Sequence, residues 1–242
     1  MLLLLGGSGE GRRIAGALAT AEIPAVVSLA GATRTPESLP LPTRIGGYGG
    51  REGFKTYLAE AGITSIIDAT HPFASQISLR TANVAAEKNI PYLQFLRPEW
   101  QPGPDDNWIM LTREEDAAAH IPAGSNVFLA TGRQTLKRFA NLAKCNLTCR
   151  QIDPPDDEFP FANGTFLIGR PPFSVEDEVS LFRNLSIDWL IVKNAGGVPS
   201  RSKLDAARIL KIPVAMLRRP PQPPGEKADT LATTLAWAQA HR

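Results

Sequence analysis

Short apolar runs alternate along the first part of the chain with longer segments in which apolar residues recur at helical spacing. The apolar runs are "LLLL", "PAVVSLA", "SIIDA" and "PYLQFL", at residues 2–5, 24–30, 65–69 and 91–96. Helical spacing occurs at residues 10–19 and 76–88. Runs of this length predict buried strands, and their alternation with helices predicts a parallel sheet with helices on both faces.

The alternation restarts after "RPEWQPGPDDN" (97–107), a segment rich in proline, glycine and charge that we interpret as a linker. Strand-like runs follow at 126–130, 189–194 and 213–217, and "DTLATTLAWAQA" predicts a terminal helix. The sequence therefore predicts two similar α/β halves, residues 1–100 and 107–242, with a cleft between them. The proline-dense "RRPPQPPG" indicates an extended connector, so the final helix could pack on either half.

Composition narrows the classes of function. With 26 basic and 24 acidic residues among 242, the net charge of +2 argues against nucleic acid or an anionic membrane surface as a partner. The N-terminal apolar run has four leucines and no basic region before it, so we expect no signal peptide. No apolar run approaches the roughly eighteen residues needed to span a bilayer, so we expect no membrane span and a cytoplasmic location. Cys145 and Cys149, in "CNLTC", have no further cysteine and no nearby histidine, so we expect packing thiols and no metal site.

The first glycine-rich loop, in "LLLLGGSGEGRRIA", lies between a strand and a helix, as in a dinucleotide fingerprint. Gly7, Ser8 and Gly9 supply G-x-G, but the third glycine position falls on Arg12, which is bulky for close helix–strand packing. The second strand ends without the acidic residue that binds a ribose 2′-hydroxyl, which favours a phosphorylated dinucleotide with Arg34 as its partner. The alternative is a tight turn without a ligand.

Two loops of the second half have similar chemistry. In "FLATGRQTL", Thr131, Gly132 and Arg133 open a helix, where backbone N–H groups and a guanidinium suit a phosphate or carboxylate. In "LIVKNAGGVPSRSKLDAARIL", a strand ends at Lys193 and a glycine turn precedes a helix. The residues of this second loop that we expect near the same sheet edge are Lys193, Asn194, Gly196, Gly197 and Lys203.

A lysine beside a buried strand is costly without a partner, so we expect Lys193 to face an anion, which is either a ligand or a neighbouring carboxylate. Ser202, followed three residues later by Asp205, predicts a capping box for the helix that follows this loop.

The stretch "SIIDATHPFA" takes a buried strand directly into Asp68, Thr70 and His71. Polar residues at the carboxyl end of a strand are where α/β proteins bind ligands, and Pro72 stiffens the next part of the loop. The alternative for His71 is a hydrogen-bonded loop residue without a catalytic role. Neither His120 nor His241 has such a setting.

Together these motifs resemble the precorrin-6A reductase family of cobalamin biosynthesis. The resemblance rests on "GGSGEGRRIA", "SLAG", "DATHPFA", "ATGR", "VKNAGG" and "SKLDAARILKIPVAMLRRP", which cover most of the chain in the family's order. It implies two Rossmann-like, doubly wound parallel-sheet domains with the active site between them. It also implies reduction of one double bond of a tetrapyrrole by a reduced nicotinamide cofactor, usually NADPH. Ser8 and Gly11 depart from the threonine and alanine that the family usually has.

The resemblance also implies roles for the residues. We expect Asp68 or His71 to deliver a proton to the macrocycle, unless bound water does so. The macrocycle carries many carboxylates, which arginines bind well. The expected substrate-binding residues are Arg12, Arg13, Thr70, Phe73 and Arg170. The expected cofactor-binding residues are Gly7, Ser8, Gly9, Thr131, Gly132, Arg133, Lys193, Asn194, Gly196, Gly197 and Lys203, with the second-half group on the phosphates.

Three alternatives remain open or are disfavoured. The same fold serves the cobalt-containing version of the reaction, and a two-lobed nucleotide- or anion-binding protein without catalysis would share these loops. A short-chain-type dehydrogenase is disfavoured, because none of Tyr48, Tyr57 and Tyr92 has a lysine four residues later. The expected partner is the small-molecule substrate precorrin-6A, and neighbouring cobalamin-pathway enzymes are further candidates.

Overall fold

The computed structural model describes residues 1–31, 38–155, 157–198 and 200–242. The chain divides into two compact units: Met1–Pro98 together with Pro220–Arg242, and Glu99–Arg219. Each unit holds one six-stranded sheet in which every pair of neighbouring strands is parallel. The predicted α/β fold with two doubly wound parallel sheets is confirmed. The cleft that we expect between the two halves stays a prediction.

The first unit is built on a strand that is buried on both faces. The strands of the first unit, in chain order, are β1 (Leu2–Leu5), β2 (Ala25–Leu29), β3 (Thr43–Ile45), β4 (Ser65–Asp68) and β5 (Tyr92–Phe95). Strand β1 is the one that is buried on both faces. Leu2 and Leu4 belong to one core cluster and Leu3 and Leu5 to another, because successive side chains point to opposite faces. The helices are α1 (Gly9–Thr20), α2 (Gly50–Glu60) and α3 (Ser75–Glu87).

The second unit has the same central strand order. Its strands are β6 (Trp108–Leu111), β7 (Asn126–Ala130), β8 (Asn146–Gln151), β9 (Gly164–Ile168), β10 (Trp189–Lys193) and β11 (Val214–Leu217), in the spatial order β6-β11-β10-β7-β8-β9. Two α-helices, α4 (Val175–Asn184) and α5 (Ser202–Ile209), are accompanied by 3-10 helices at Glu114–Ala119 and Arg133–Leu142. Phe128 and Phe182 pack in the core with ring centroids 5.0 Å apart.

The C-terminal segment completes the first unit. Strand β12 (Glu226–Ala228) pairs in parallel with β5, and the first sheet has the order β12-β5-β4-β1-β2-β3. Helix α6 (Leu231–Ala240) contacts α1, and Trp237 and Ala238 are buried in the first core.

This division differs from the expected second domain of residues 107–242 at both ends. Residues 220–242 belong to the first unit, and Trp100, within the expected linker, is buried in the second core. Both differences arise from pairing between segments that are distant in sequence, which a local pattern cannot reveal.

Three smaller features also bear on the predictions. The prediction of a Ser202–Asp205 capping box is wrong. Helix α5 has Arg201 as its N-cap, and no side chain among the described residues caps this helix. Cys145 and Cys149 are both buried as free thiols, and burial raises the pKa of Cys149 to about 11. In the part of the chain that the structure describes, no helix is both long and apolar enough to cross a membrane.

Candidate active site

Each sheet has one point where the strand order reverses direction. In the first unit this point lies between β1 and β4, and in the second unit it lies between β7 and β10. Ligands of open α/β sheets bind at the carboxyl ends of the strands beside such a switch point. The two candidate loops of each half follow these strands, so each unit brings its own pair together.

The first glycine loop is joined to the "DATHPFA" loop by Ser8. The Ser8 hydroxyl caps α1 by accepting a hydrogen bond from the Gly11 N–H at 3.0 Å, and it donates to the Ala69 carbonyl at 2.8 Å. Gly7 has φ +109°, a conformation that favours glycine. The serine therefore holds the two loops of the first switch point in register.

The close helix–strand approach falls on Gly11. A Cβ added to Gly11 would lie 3.2 Å from the Gly6 Cα, whereas Arg12 is exposed on the next position of α1. The absence of glycine at position 12 therefore does not weaken the packing of this loop. Aligning the glycine pattern on Gly6 and Gly11 would have found the contact from the sequence.

An ion pair beside this loop was not predicted. Arg97, which follows β5, donates a short hydrogen bond to Glu10 in the first turn of α1, and both side chains are largely buried. Burial alone would raise the pKa of Glu10, but the charge of Arg97 and its hydrogen bond lower it below its usual range. The pair fixes the start of α1 against the carboxyl end of β5.

Asp68, at the end of β4, is 1% exposed and uses both carboxylate oxygens. Its Oδ1 accepts from the Thr70 N–H at 3.0 Å and from the Thr70 hydroxyl at 2.7 Å, and its Oδ2 accepts from the Tyr92 hydroxyl at 2.9 Å. Burial, together with the Asp68 charge, raises the pKa of Tyr92 well above its usual range. The carboxylate thus shapes the loop after β4.

His71 is exposed in the same loop. Its Nδ1 accepts a hydrogen bond from the Phe73 N–H at 3.2 Å, and the two rings lie 5.8 Å apart. A nitrogen that accepts carries no proton, so the neutral ring has its proton on Nε2. The loop therefore orients His71 as a donor through Nε2.

Gln222 in the proline-rich connector also holds this loop, a contact that no sequence pattern indicated. Its Nε2 donates to the carbonyls of Pro72 at 3.0 Å and Pro220 at 2.7 Å. Its Oε1 accepts from Gln94 Nε2 at 2.9 Å. Gln94 pairs with Asp68 in the sheet register, so the connector closes over the carboxyl end of β4 and β5.

The second switch point begins at the turn after β7. Gly132 has φ +73°, with open space beside its Cα, and Arg133 is the exposed first residue of a 3-10 helix. The sequence predicted a helix here but not its tighter 3-10 form. Lys193, at the end of β10, donates from Nζ to the Thr131 carbonyl at 2.8 Å.

Lys193 lies in a charged and partly buried environment. Burial lowers its pKa, and the buried carboxylate of Glu114 opposes this shift. Arg138 donates to Glu114 at 3.2 Å. The Glu114 charge therefore acts on both Lys193 and Arg138, and the anion that we expect at Lys193 stays a prediction.

The loop after β10 is held from two sides. Asn194 is 1% exposed, and its amide accepts from the Trp100 N–H at 2.9 Å and donates to the Trp100 carbonyl at 3.1 Å. Arg219 donates to the carbonyls of Asn194 and Ala195 at 2.8 and 2.9 Å. The Asn194 side chain therefore positions the backbone, and sequence reasoning missed the contribution of Arg219.

The glycine turn has φ +69° at Gly196 and +80° at Gly197, and the Gly197 carbonyl accepts from Trp100 Nε1 at 2.8 Å. Lys203 donates to the Ser200 carbonyl at 2.6 Å. Burial lowers the pKa of Lys203 to about 8, although the nearby Glu178 carboxylate opposes this shift.

Glu178 itself forms a two-pronged ion pair with Arg150, at 2.7 and 2.6 Å. The Arg150 guanidinium lies 4.7 Å from the Phe128 ring centroid and 4.3 Å from that of Phe173. Two cations, Arg150 and Lys203, therefore surround one buried carboxylate.

The expected substrate-binding arginines lie in different units. Arg12 and Arg13 are exposed near the start of α1, beside the first switch point. Arg170 follows β9, the edge strand of the second sheet, with its guanidinium 3.8 Å from Asp153. Arg34 lies outside the described residues. Across residues 1–31, 38–155, 157–198 and 200–242, no group of three or more His, Cys, Asp or Glu side chains could hold a metal ion.

Comparison with known proteins matches these features to one family. Residues 1–239 match the family model described as precorrin-6x reductase CbiJ/CobK. The chain is 44% identical to precorrin-6A reductase of Rhodococcus erythropolis, over 98% of this chain and 96% of that protein. It is 38% identical to precorrin-6A reductase of Rhodobacter capsulatus, over 99% and 96%. It is 26% identical to cobalt-precorrin-6A reductase of Priestia megaterium, over 91% of each.

A solved structure described as CobK precorrin-6A reductase superposes on the chain with a TM-score of 0.93. It is 38% identical, and the match covers 99% of this chain and 96% of that one. The family predicted from "DATHPFA" and the glycine loops is confirmed. The chain belongs to the precorrin-6x reductase family.

Proposed function

We propose that this chain reduces one carbon–carbon double bond of the precorrin-6A macrocycle to give precorrin-6B in cobalamin biosynthesis, with NADPH as the hydride donor. Family membership along residues 1–239 supports the reaction. The structural observation that carries the cofactor assignment is the pair of lysines, Lys193 and Lys203, at the end of β10 and in the helix that follows the glycine turn.

The metal-free macrocycle is the preferred substrate in this proposal. The relatives named precorrin-6A reductase in Rhodococcus and Rhodobacter share 44% and 38% identity with the chain, compared with 26% for the cobalt-precorrin-6A reductase of Priestia. This difference supports metal-free precorrin-6A over its cobalt complex.

The second unit suits the phosphates of the cofactor better than the first. Lys193 ends β10, whereas the corresponding strand of the first sheet, β4, ends in the carboxylate of Asp68. The Thr131 hydroxyl is buried at the turn and, among the described residues, has no hydrogen-bond partner. An unpaired buried hydroxyl beside a glycine turn and a lysine fits a bound phosphate group.

In this proposal Thr131, Gly132, Arg133, Lys193 and the glycine turn at Gly196 hold the cofactor phosphates. Lys203 adds positive charge. Gly7, Ser8 and Gly9 offer backbone N–H groups at the start of α1 to the remainder of the cofactor. Asn194 contributes through its backbone, since Trp100 occupies its side chain. When bound, NADPH supplies the hydride, and the protein supplies orientation and charge.

In this proposal the first unit binds the macrocycle and delivers the proton. We assign proton delivery to the imidazolium form of His71, which loses one proton to the macrocycle and regains one from solvent at this exposed position, because Asp68 already accepts hydrogen bonds on both oxygens. Asp68 and Thr70 then set the position of His71, and Phe73 offers an apolar surface to the ring system. Arg12 and Arg13 bind the peripheral carboxylates of the macrocycle. Arg170 of the second unit is assigned the same role.

The test follows NADPH absorbance under anaerobic conditions with purified protein and metal-free precorrin-6A, with NADH and the cobalt complex in parallel. We expect oxidation of NADPH that depends on precorrin-6A and that is slower with NADH and with the cobalt complex. Faster turnover of the cobalt complex would assign the chain to the other reaction. Dinucleotide binding by folded protein without turnover of either macrocycle would favour the non-catalytic binding protein.

A further inference from the structure

Three side chains near the carboxyl ends of β7 and β8 in the second unit bury polar atoms that have no hydrogen-bond partner within the described part of the chain. The atoms are Thr131 Oγ1, Thr135 Oγ1, and both Oε1 and Nε2 of Gln151. Thr131 is 5% exposed and Gln151 is 7% exposed. Buried polar atoms of native proteins almost always have a partner, so these unpartnered atoms at the strand ends point to a ligand-binding site.

The sheet places Thr131 and Gln151 at the ends of two paired parallel strands. Leu129 of β7 pairs with Cys149 of β8, and Thr131 and Gln151 each lie two residues further along. Gln151 is the last residue of β8 and Thr131 directly follows the last residue of β7, so both lie at the carboxyl end of the sheet. Thr135 lies in the first turn of the 3-10 helix that follows Thr131.

This position has a defined meaning in dinucleotide-binding sheets. The glycine turn follows the first central strand, and a residue about 20 positions later, at the end of the second strand, contacts the adenosine ribose. Here β7 precedes the turn at Thr131, and Gln151 ends the neighbouring strand β8 twenty residues later. An acidic residue at this position accepts a hydrogen bond from the free 2′-hydroxyl and repels a 2′-phosphate. A glutamine is neutral and does not repel a 2′-phosphate.

We infer that Gln151, with the hydroxyls of Thr131 and Thr135, binds the adenosine ribose of the nicotinamide cofactor and admits its 2′-phosphate. The inference rests on the proposed function in so far as the cofactor binds the second unit. The Gln151 amide donates through Nε2 to a phosphate or hydroxyl oxygen and accepts through Oε1. Arg133, exposed at the start of the adjacent helix, supplies positive charge for the phosphate.

The test measures dissociation constants of NADP⁺ and NAD⁺ by isothermal titration calorimetry for wild type, Gln151→Glu, Gln151→Met and Gln239→Glu. The readout is the ratio of the two constants, because a purely structural role would weaken both dinucleotides alike. Gln239 is exposed on α6, so its change to glutamate controls for added charge.

We expect Gln151→Glu to reduce the preference for NADP⁺ about 10- to 100-fold, since a charge-assisted hydrogen bond is replaced by repulsion. Gln151→Met should reduce the preference by a smaller factor without burying a new charge, and Gln239→Glu should leave it unchanged. Unchanged ratios in the folded Gln151 variants would overturn the inference. Binding of neither dinucleotide by wild type would also overturn it.

Parallel anaerobic assays with NADPH and precorrin-6A separate this inference from the proposed function. A Gln151-dependent ratio in a protein that does not reduce the macrocycle would support the ribose site and refute the reductase proposal. Reduction of the macrocycle with a ratio that is independent of Gln151 would refute the ribose site alone.

Discussion

The two units share a strand order but carry opposite charges at equivalent positions. In each sheet the strand beside the switch point ends in one ionisable residue, which is Asp68 in the first unit and Lys193 in the second. Asp68 is enclosed by neutral donors from Thr70 and Tyr92, whereas Lys193 donates to a carbonyl near a shared carboxylate. One sheet topology therefore presents two opposite charges at the same position, because the residues at the strand ends and in the loops after them carry the chemistry.

The units also stabilise their buried carboxylates differently. Asp68 accepts hydrogen bonds from neutral groups, whereas Glu178 of the second unit is paired with the Arg150 guanidinium. Removal of the charge at position 178 leaves a buried cation without its anion, whereas the same change at position 68 leaves only neutral donors. The first change should therefore be the more harmful one.

The largest expected effect is on stability. Glu178→Gln should lower the free energy of unfolding by about 3–5 kcal/mol, because breaking a buried ion pair leaves an uncompensated charge. Asp68→Asn should lower it by about 1–3 kcal/mol, because weaker hydrogen bonds remain. Urea denaturation measures both, with the exposed Glu176→Gln on the same helix as a control. A larger loss for Asp68→Asn than for Glu178→Gln would contradict the comparison.

The glycines of α1 provide the next test. Gly11→Ala should cost about 1–3 kcal/mol, because the added Cβ would lie 3.2 Å from the Gly6 Cα. Gly16→Ala in the same helix meets nothing within 4 Å and should stabilise the protein by about 0.5–1 kcal/mol. Thermal unfolding of the two variants measures this contrast, and equal effects would refute close packing at Gly11.

The smallest expected effect depends on pH. Burial lowers the pKa of Lys203 to about 8 from an ordinary value of 10.5. The folded chain therefore releases this proton at a lower pH than the unfolded chain. Stability should therefore rise as the pH increases from about 8 towards 10.5, since the unfolded state binds more protons in that window. Loss of the Lys203 charge over the same window should weaken NADP⁺ binding.

Lys203→Met should remove both pH dependences, because the titrating group is gone. Denaturation and NADP⁺ titration between pH 7 and 10 compare the variant with wild type. If the variant retained the wild-type profiles, another group would have to be responsible.

The sequence predicted most of the inner strands but not the four edge strands β3, β6, β9 and β12, nor β8. Strands β1, β4, β7 and β11 are apolar runs that helices cover on both faces. In contrast, β3 and β12 have three residues each and are mostly exposed, so they lack an apolar run. The placement of β12 beside β5 depends on a return of the chain after the whole second unit, which no local pattern encodes.

The candidate site also has parts that the sequence predicts and parts that it does not. The loops at Gly7, Asp68, Thr131 and Lys193 were predictable, because strand ends and glycine turns leave local signals. The contacts of Gln222 with Pro72 and of Arg219 with Asn194 were not predictable, because they join residues 150 and 25 positions apart. Gln151 follows Thr131 by twenty residues, but β8 was not predicted, so its unpartnered burial at the end of β8 is needed to single it out.

The division of roles between the units is tested most directly by NADP⁺ titration and steady-state kinetics on Lys193→Met and His71→Gln, with Lys193→Arg as the charge-preserving control. We expect Lys193→Met to weaken NADP⁺ binding about 10-fold or more. Lys193→Arg should bind NADP⁺ more tightly than Lys193→Met but less tightly than wild type. His71→Gln should leave the NADP⁺ dissociation constant within about twofold and lower kcat about 100-fold. Weaker NADP⁺ binding in His71→Gln with unchanged binding in Lys193→Met would contradict the account.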